Sequence, residues 1–382
     1  MTSKLGSLAL LALSLAVSCE LGSFLFLHYA VGIYWTPDYM KGRSEQSHSG
    51  AWFTEREAWG AWHVANAVAR HESRCFSVSL RSNSYGARDR ERVVDGSPNR
   101  TIVLGDSFAE GWGVETTQRL SNLLESRLHR EFLNFGAADD FGPLQYQIIY
   151  EQLAAKFSHA RVLVMFLPDN DFTDNDAEYW RHTRPDYYER YRPYYKAVDG
   201  GGYQPFYPVA KPPDGYYSRR DVPKVGWEAR TSSWMRGNLW SLAMYRFLSR
   251  LTYHVGAYSG YVGFSDAELS AVLWSFAKIK ERAGDRPVTI AVIPRPNDFA
   301  QVRESGDHRL IDALERFGRS HGIGIVDLMQ WMPKVEPRTE SYYLPCDGHW
   351  SAEGNRIAAE ALMLATGSGT AAAAAPAEPA HP

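Results

Sequence analysis

The stretch Thr101-Ile-Val-Leu-Gly-Asp-Ser-Phe-Ala-Glu-Gly-Trp-Gly113 decides the fold. Its first four residues are β-branched or apolar, which predicts a short buried strand that stops at Gly105. Ser107 then lies just past the carboxyl end of that strand, where open α/β sheets place their ligand crevices. A serine in such a turn is a candidate nucleophile, and it needs a base for its proton and donors for an oxyanion.

From residue 100 onward, short apolar runs alternate with helical patterns. This alternation predicts an α/β fold, a three-layer α/β/α sandwich around a five-stranded parallel sheet. The predicted strands are 101–104, 132–135, 161–167, 288–293 and 323–328. The predicted helices are 117–131, 143–157, 266–283, 307–321 and 351–365, with Pro143 at a first helical position and Ser351 as an N-cap.

Composition excludes several classes of protein. The chain has 382 residues, a formal net charge of -3 and 45% hydrophobic residues, an ordinary globular balance without a long basic run. We therefore expect no nucleic-acid partner. The three cysteines, Cys19, Cys75 and Cys346, lack zinc-site spacing, so no structural metal is expected. Cys75 and Cys346 could pair in an oxidising compartment or stay as free thiols.

The first 35 residues form an apolar segment. Residues 3–26 can supply the about 20 apolar residues that a bilayer core requires, at the cost of including Glu20. Together with Lys4 this predicts an uncleaved signal anchor in an inner membrane, with the rest of the chain on the periplasmic or extracytoplasmic side. The alternatives are a signal peptide cleaved after Ser18, a lipoprotein attached through Cys19, and a buried helix of a cytosolic protein.

Three further segments surround or interrupt the core domain, which spans residues 99–365. Residues 36–98 form a polar extension with a predicted helix at 54–70 and a turn at 83–86. An aromatic-rich insertion at about 172–265 is long enough to predict a lid or binding loop, with a helix at 234–253. The alternative is a cap that only packs on the sheet. Residues 366–382 are rich in Ala and Pro and are predicted to be disordered.

Two further strand ends carry residues suited to an oxyanion. Gly136 in Asn134-Phe-Gly136 allows a backbone N–H to approach a ligand closely. Asn170, which follows the third strand, can donate an amide N–H to an oxyanion. Each is also compatible with an ordinary turn. A second Asn-Asp-Phe, at 297–299, competes with Asn170, but chain order and the spacing from Ser107 favour Asn170.

The sequence Cys346-Asp-Gly-His-Trp350 precedes the last predicted helix. It places an imidazole, that of His349, beside the carboxylate of Asp347. Because the carboxyl ends of parallel strands meet at one edge of a sheet, these groups can converge on Ser107.

In this order the motifs resemble those of the SGNH/GDSL hydrolase superfamily, over about residues 100–365. The matching blocks are Gly105-Asp-Ser-Phe108, Gly136, Asn170-Asp171 and Asp347-x-His349. The resemblance implies a nucleophile at Ser107, a general base at His349 and an orienting carboxylate at Asp347. It also implies an oxyanion hole formed by the Ser107 and Gly136 N–H groups and the Asn170 side chain.

One feature departs from the family pattern. The usual final block places the aspartate three residues before the histidine, where this chain has Cys346, so a backbone carbonyl could replace Asp347. The segment 83–89 is similar to a lead-in of bacterial members and is expected to shape the rim of the site.

The resemblance implies a serine hydrolase that cleaves carboxylic esters, O-acyl or O-acetyl, through an acyl-serine intermediate without a metal or organic cofactor. A cell-envelope polysaccharide O-acetyltransferase would use the same residues, and a non-catalytic glycan-binding or scaffold module is the third possibility. The expected partner is a small-molecule or glycan ester, since tyrosines of the insertion can stack on sugars or line an acyl pocket.

Overall fold

The computed structural model describes residues 2–26, 29, 52–72, 76–183, 188–212, 244, 248, 258–344 and 348–367. In chain order its helices and strands are α1 (Thr2–Leu25), β1 (Phe53–Glu57), β2 (Gly60–His63), β3 (Val68–Glu72), β4 (Ser77–Arg81), β5 (Thr101–Leu104), α2 (Ser107–Glu110), α3 (Leu120–Leu128), β6 (Phe132–Asn134), α4 (Pro143–Gln152), β7 (Arg161–Phe166), α5 (Pro168–Asp171), α6 (Ala177–Thr183), β8 (Tyr194–Ala197), β9 (Tyr203–Phe206), α7 (Asp266–Ala283), β10 (Val288–Val292), α8 (Pro296–Ser305), α9 (Arg309–His321), β11 (Ile323–Asp327), α10 (Leu328–Val335) and α11 (Ala352–Ala365).

The centre of the fold is a five-stranded sheet in the order β11-β10-β7-β5-β6, and every neighbouring pair is parallel. Alternate residues of each strand face opposite layers. Ile102 and Leu104 pack with α4, α7 and α9, whereas Val103 and Leu163 pack with α3, α10 and α11. The predicted three-layer α/β/α sandwich is therefore confirmed, and β5, which leads into Ser107, lies inside the sheet between β7 and β6.

The ends of the elements show where local signals were sufficient. Pro143 begins α4, and the Ser351 Oγ accepts the Gly354 N–H at 3.0 Å as the N-cap of α11, both as predicted. The helix predicted over 117–131 is shorter, because His129 adopts a left-handed conformation (φ 50°) and ends α3 at Leu128. Helix α8 was not predicted.

The predicted helix at 54–70 is wrong. The chain forms β1, β2 and the start of β3 there, and Phe53 and Thr54 pair with His63 and Trp62 in an antiparallel hairpin. Gly60, with φ 88°, makes the turn that a helix could not contain. Aromatic rings also pack across the hairpin, where the Phe53 and His63 rings lie 5.4 Å apart.

The extension is joined to the core of the domain. Trp59 and Trp62 belong to the same cluster of buried side chains as Ile102 and Leu104 of the central strand. The predicted turn at 83–86 is present, since the Gly86 N–H donates to the Asn83 carbonyl at 3.0 Å. Burial of two indole rings contributes several kcal/mol, at about 25 cal/mol per Å² of apolar area.

Helix α1 stands apart from this core. Residues Gly6–Leu25 have a mean hydropathy of 2.0, and none of them is buried in the fold. Among the described residues, α1 is a helix that is long enough and apolar enough to cross a membrane. Cys19 lies on it as an exposed free thiol.

The described part of the insertion packs against the fold. Tyr195 OH lies 2.8 Å from Ser275 Oγ on α7, and the rings of Tyr203 and Trp274 meet at 5.9 Å. Tyr207 OH donates to the Ala58 carbonyl of the extension. These three tyrosines pack on the fold, and the predicted lid role of the whole insertion stays a prediction. The predicted helix at 234–253, apart from two isolated residues, the predicted disorder of 368–382 and the Cys75–Cys346 pair lie outside the described residues.

Candidate active site

The nucleophile turn is built by close packing at Gly105. A Cβ at this position would lie 2.6 Å from the Ala109 Cβ and 2.8 Å from the Met165 Cβ, so only glycine fits between β7 and α2. The chain therefore leaves β5 and enters α2 within two residues. Ser107 is the first residue of α2 and lies at the carboxyl edge of the sheet.

Ser107 and His349 meet in the folded chain. The Ser107 Oγ lies 2.8 Å from the His349 Nε2, although 242 positions separate the two residues. The Trp112 ring stacks on the imidazole with centroids 5.4 Å apart, and the Phe108 ring packs against it at 5.0 Å. These two rings fix the plane of the imidazole. A hydroxyl within hydrogen-bond distance of an imidazole is the arrangement that a serine nucleophile requires.

A cavity of about 250 Å³ opens in front of this pair. It is lined by Phe53, Asp106, Ser107, Trp112, Ala138, Asp139, Asp140, Leu167, Asn170, Arg295 and His349. Asn170 thus lies where the sequence predicted, beside the serine, and its Nδ2 donates one hydrogen bond to the Asp174 Oδ2 at 2.7 Å. Asn297, the competing asparagine, lies on α8 and not in the lining of this cavity.

Gly136 has a different surrounding from the one predicted. Its N–H donates to the Asn134 Oδ1 at 2.9 Å, and Gly136 is not among the residues that line the cavity. A Cβ at Gly136 would lie 2.5 Å from the Glu110 backbone nitrogen. The glycine therefore permits close packing on α2, and its role as an oxyanion donor stays a prediction.

Asp347 lies outside the described residues, which resume at Gly348. Asp171, the partner of Asn170 in its motif, accepts hydrogen bonds from the Leu167 N–H at 2.9 Å and the Tyr146 hydroxyl at 2.6 Å. Burial raises the pKa of Asp171 well above its usual value. These two hydrogen bonds of the Asp171 carboxyl stabilise the turn after β7, in which Asn170 lies.

Asp106 is completely buried beside the serine and also lines the cavity. Its Oδ1 accepts the Phe108 N–H at 2.9 Å and caps α2. Burial raises the pKa of Asp106 to about 6, although the hydrogen bond from the Phe108 N–H and the proximity of His349 and Arg295 oppose the shift. The charge of Asp106, beside Ser107, therefore changes near pH 6.

A second buried carboxylate supports the cavity wall. The Glu110 Oε1 lies 3.5 Å from the His63 Nε2, and the Glu110 carboxylate also accepts the Ala138 N–H. Burial would raise the pKa of Glu110, but His63, Arg88 and the Ala138 N–H outweigh it and lower that pKa to about 2. An ionised Glu110 thus ties β2 of the extension to the wall of the cavity.

The lead-in segment 83–89 contacts the end of α2, the helix that begins with Ser107. Arg88 is buried, and its guanidinium donates to the carbonyls of Glu110 at 3.1 Å, Gly111 at 2.6 Å and Val114 at 2.7 Å. Two of these carbonyls, those of Glu110 and Gly111, lie at the end of α2, where backbone carbonyls lack partners within the helix. The segment therefore positions α2. The sequence pattern had predicted only that this segment shapes the rim of the site.

Sequence reasoning also missed three charged residues in the lining. Asp139 and Asp140 adopt left-handed conformations with φ of 86° and 58°, a strained geometry that clusters at functional sites. Arg295, which follows β10, lies in the same cavity with an Nη1 3.7 Å from the Asp169 Oδ2. Only the strand order could have found Arg295, because its position after a fourth parallel strand brings it to the same edge.

One protein family matches the last part of the chain. A family model described as an SGNH hydrolase-like domain, acetyltransferase AlgX, matches residues 297–380. No curated protein matches the chain.

Solved structures that are similar to this chain include three named enzymes or enzyme-family members. A member of the lipolytic protein G-D-S-L family from Veillonella parvula is 12% identical with a TM-score of 0.34, over 69% of this chain and 96% of its own. A lipase/acylhydrolase from Enterococcus faecalis is 10% identical with a TM-score of 0.35, over 70% and 94%. The salicylyl-acyltransferase SsfX3 from a tetracycline biosynthetic pathway is 15% identical with a TM-score of 0.34, over 72% and 56%. Sequence identities and TM-scores as low as these assign no function to this chain. The parallel sheet, the Ser107–His349 contact at its carboxyl edge and the family match that includes His349 make the chain similar to the SGNH/GDSL hydrolase superfamily.

Proposed function

We propose that this protein cleaves carboxylic esters, with O-acetyl esters as the preferred class, through an acyl-serine intermediate on Ser107. The observation that carries the proposal is the 2.8 Å separation of the Ser107 Oγ and the His349 Nε2 at the mouth of a cavity. At about 250 Å³ this cavity is smaller than most ligand pockets, which favours a small acyl group.

The first half-reaction forms the acyl-enzyme. His349 takes the Ser107 proton as the Oγ attacks the ester carbonyl carbon, and the carbonyl oxygen becomes an oxyanion. The Ser107 N–H, at the start of α2, and the second N–H of the Asn170 amide are the proposed donors to it. When the tetrahedral intermediate collapses, the carbon–oxygen bond to the alcohol breaks and His349 returns the proton to the leaving alcohol.

The second half-reaction releases the acyl group. Water, activated by His349, attacks the acyl-serine, and the products are a carboxylic acid and free Ser107. Asp347 is proposed to orient the imidazole from the Nδ1 side.

A cell-envelope glycan O-acetyltransferase is the second candidate. The family model that matches residues 297–380 carries an acetyltransferase description. In that case a sugar hydroxyl takes the place of water and receives the acyl group. Helix α1 supports an anchored location, with the catalytic domain on the extracytoplasmic side, because its stretch Gly6–Leu25 has a mean hydropathy of 2.0 and is not buried in the fold.

The test uses the full chain in detergent. Wild type should hydrolyse p-nitrophenyl acetate and react with a serine-directed fluorophosphonate, whereas Ser107→Ala should do neither. Ser320→Ala, a change at an exposed serine of α9, is the matched control and should behave as wild type. Full activity in Ser107→Ala would refute the nucleophile, and absence of labelling in wild type would favour a non-catalytic module.

Two further measurements separate the finer alternatives. Mass spectrometry with an acetyl donor, in the presence and absence of an acceptor glycan, distinguishes release of acetate from acetylated glycan. Asp347→Asn should lower kcat while leaving KM unchanged; an Asp347→Asn variant with wild-type kcat would pass the orienting role to another group.

A further inference from the structure

A second cavity lies at the opposite, amino-terminal edge of the sheet and has a volume of about 280 Å³. It lies between the first residues of the central strands and the last turns of α3 and α11, and it is open to solvent. Its lining is part polar and part apolar, and the apolar side chains include Leu124, Leu128, Phe132, Leu163, Leu362 and Met363. Strand β5 connects the two cavities, with Thr101 at this one and Ser107 just beyond its other end.

Two polar atoms of the lining have no hydrogen-bond partner in the described part of the chain. One is the Thr101 Oγ1, on a residue that is only 3% exposed, and the other is the buried Nε of Arg130. A buried polar group without a partner costs about 1–3 kcal/mol. Such groups call for a ligand or an ordered water.

Two arginines stand together at the same cavity. Arg130 and Arg161 both line it, and neither forms an ion pair with a described carboxylate. Arg161 donates to the Asn99 Oδ1 at 2.8 Å, and the Arg130 guanidinium lies over the Phe132 ring at 5.2 Å. Burial, and then the charge of Arg161, lower the pKa of Arg130. An anion between the two guanidinium groups would relieve this repulsion.

We infer that this cavity binds a small amphipathic carboxylate, with its anionic head on Arg130, Arg161 and the Thr101 hydroxyl and its alkyl or aryl body against the leucines of α3 and α11. The guanidinium fork matches the two oxygens of a carboxylate. The limited volume restricts the body to a short chain or one ring. This inference is independent of the chemistry at Ser107.

The test is isothermal titration calorimetry of the full chain with hexanoate, and with hexanol and acetate as ligands that lack the charge or the body. Hexanoate should bind and the other two should bind at least tenfold more weakly. Arg130→Gln should weaken hexanoate at least tenfold, the loss expected for a hydrogen bond to a charged group. Because every variant is measured in the same detergent, partition of hexanoate into micelles affects all variants equally.

Matched variants locate the site. Arg319→Gln removes an exposed arginine of α9 and should leave the hexanoate Kd unchanged. Thr101→Val keeps the shape of the side chain and should weaken binding about threefold, and it decides the question if Arg130→Gln fails to fold. Ser107→Ala should bind as wild type, which separates this inference from the proposed function. Equal affinity for hexanoate and hexanol, or equal Kd values in Arg130→Gln and Arg319→Gln, would overturn the inference.

Discussion

Arg88 donates from its Nη1 to the carbonyl of Gly111 at 2.6 Å, and through this contact a segment upstream of the sheet holds the helix that begins with Ser107. Arg88 has three backbone acceptors, and it is one of the largest fully buried side chains. A guanidinium can satisfy several carbonyls at once, and a lysine ammonium has a different geometry.

Arg88→Lys should therefore destabilise the fold by about 2–4 kcal/mol and lower kcat, because a buried charge loses part of its partners. Urea unfolding and ester hydrolysis measure the two effects. Arg90→Lys is the control, since Arg90 has a 55% exposed side chain and should change stability by less than about 1 kcal/mol. Equal effects of the two changes would contradict the positioning role.

Asn170→Ala should reduce kcat by about 10²–10³-fold with little change in KM, the usual cost of one oxyanion donor. Asn297→Ala removes the asparagine of the second Asn-Asp-Phe and should retain the wild-type kcat, because Asn297 does not line the cavity. Steady-state kinetics on p-nitrophenyl acetate compares them. A larger loss in Asn297→Ala would reverse the assignment.

Asp106→Asn should alter the pH dependence of stability. The folded pKa of Asp106 is raised from 3.8 to about 6, so the folded state holds a proton that the unfolded state loses. Stability therefore falls as pH rises from about 4 to 6, by up to about 3 kcal/mol. Asn keeps the cap of α2 without the charge, so the variant should be about 1–3 kcal/mol more stable than wild type at pH 7.5 and similar at pH 4.

Urea unfolding at the two pH values checks this prediction. Asp285→Asn, which changes an exposed acid, should show no such difference between the two pH values. A variant of Asp106 that is equally destabilised at both values would show that the cap, and not the buried charge, dominates.

Glu110→Gln has the opposite sign. The folded pKa of Glu110 is lowered from 4.5 to about 2, so its charge stabilises the fold above pH 4.5 and that contribution is lost as pH falls toward 2. The variant should lose about 2–4 kcal/mol at pH 7 and much less at pH 3. Thermal unfolding at both values measures it, with the exposed Glu304→Gln as control. Wild-type stability of Glu110→Gln at pH 7 would contradict the proposed tie to the cavity wall.

The parallel sheet could be predicted from the sequence, because each strand is a short apolar run followed by a helix with local start signals. Pro143 and Ser351 mark helix starts by their own backbone and side-chain chemistry, so they needed no tertiary information. The failed helix at 54–70 had no such local signal. Its residues owe their conformation to aromatic partners across a hairpin and to the core beneath Trp59 and Trp62.

The sequence by itself determined the α/β sandwich and the order of Ser107, Asn170 and His349 along its strand ends, because hydrophobic periodicity and turn residues act locally. Only the tertiary structure decided which groups surround the serine. Gly136 turned out to pack on α2, Arg88 to hold that helix, and Arg295 to enter the cavity. Such contacts depend on the register of neighbouring strands and on distances of a few ångströms, which no spacing along the chain encodes.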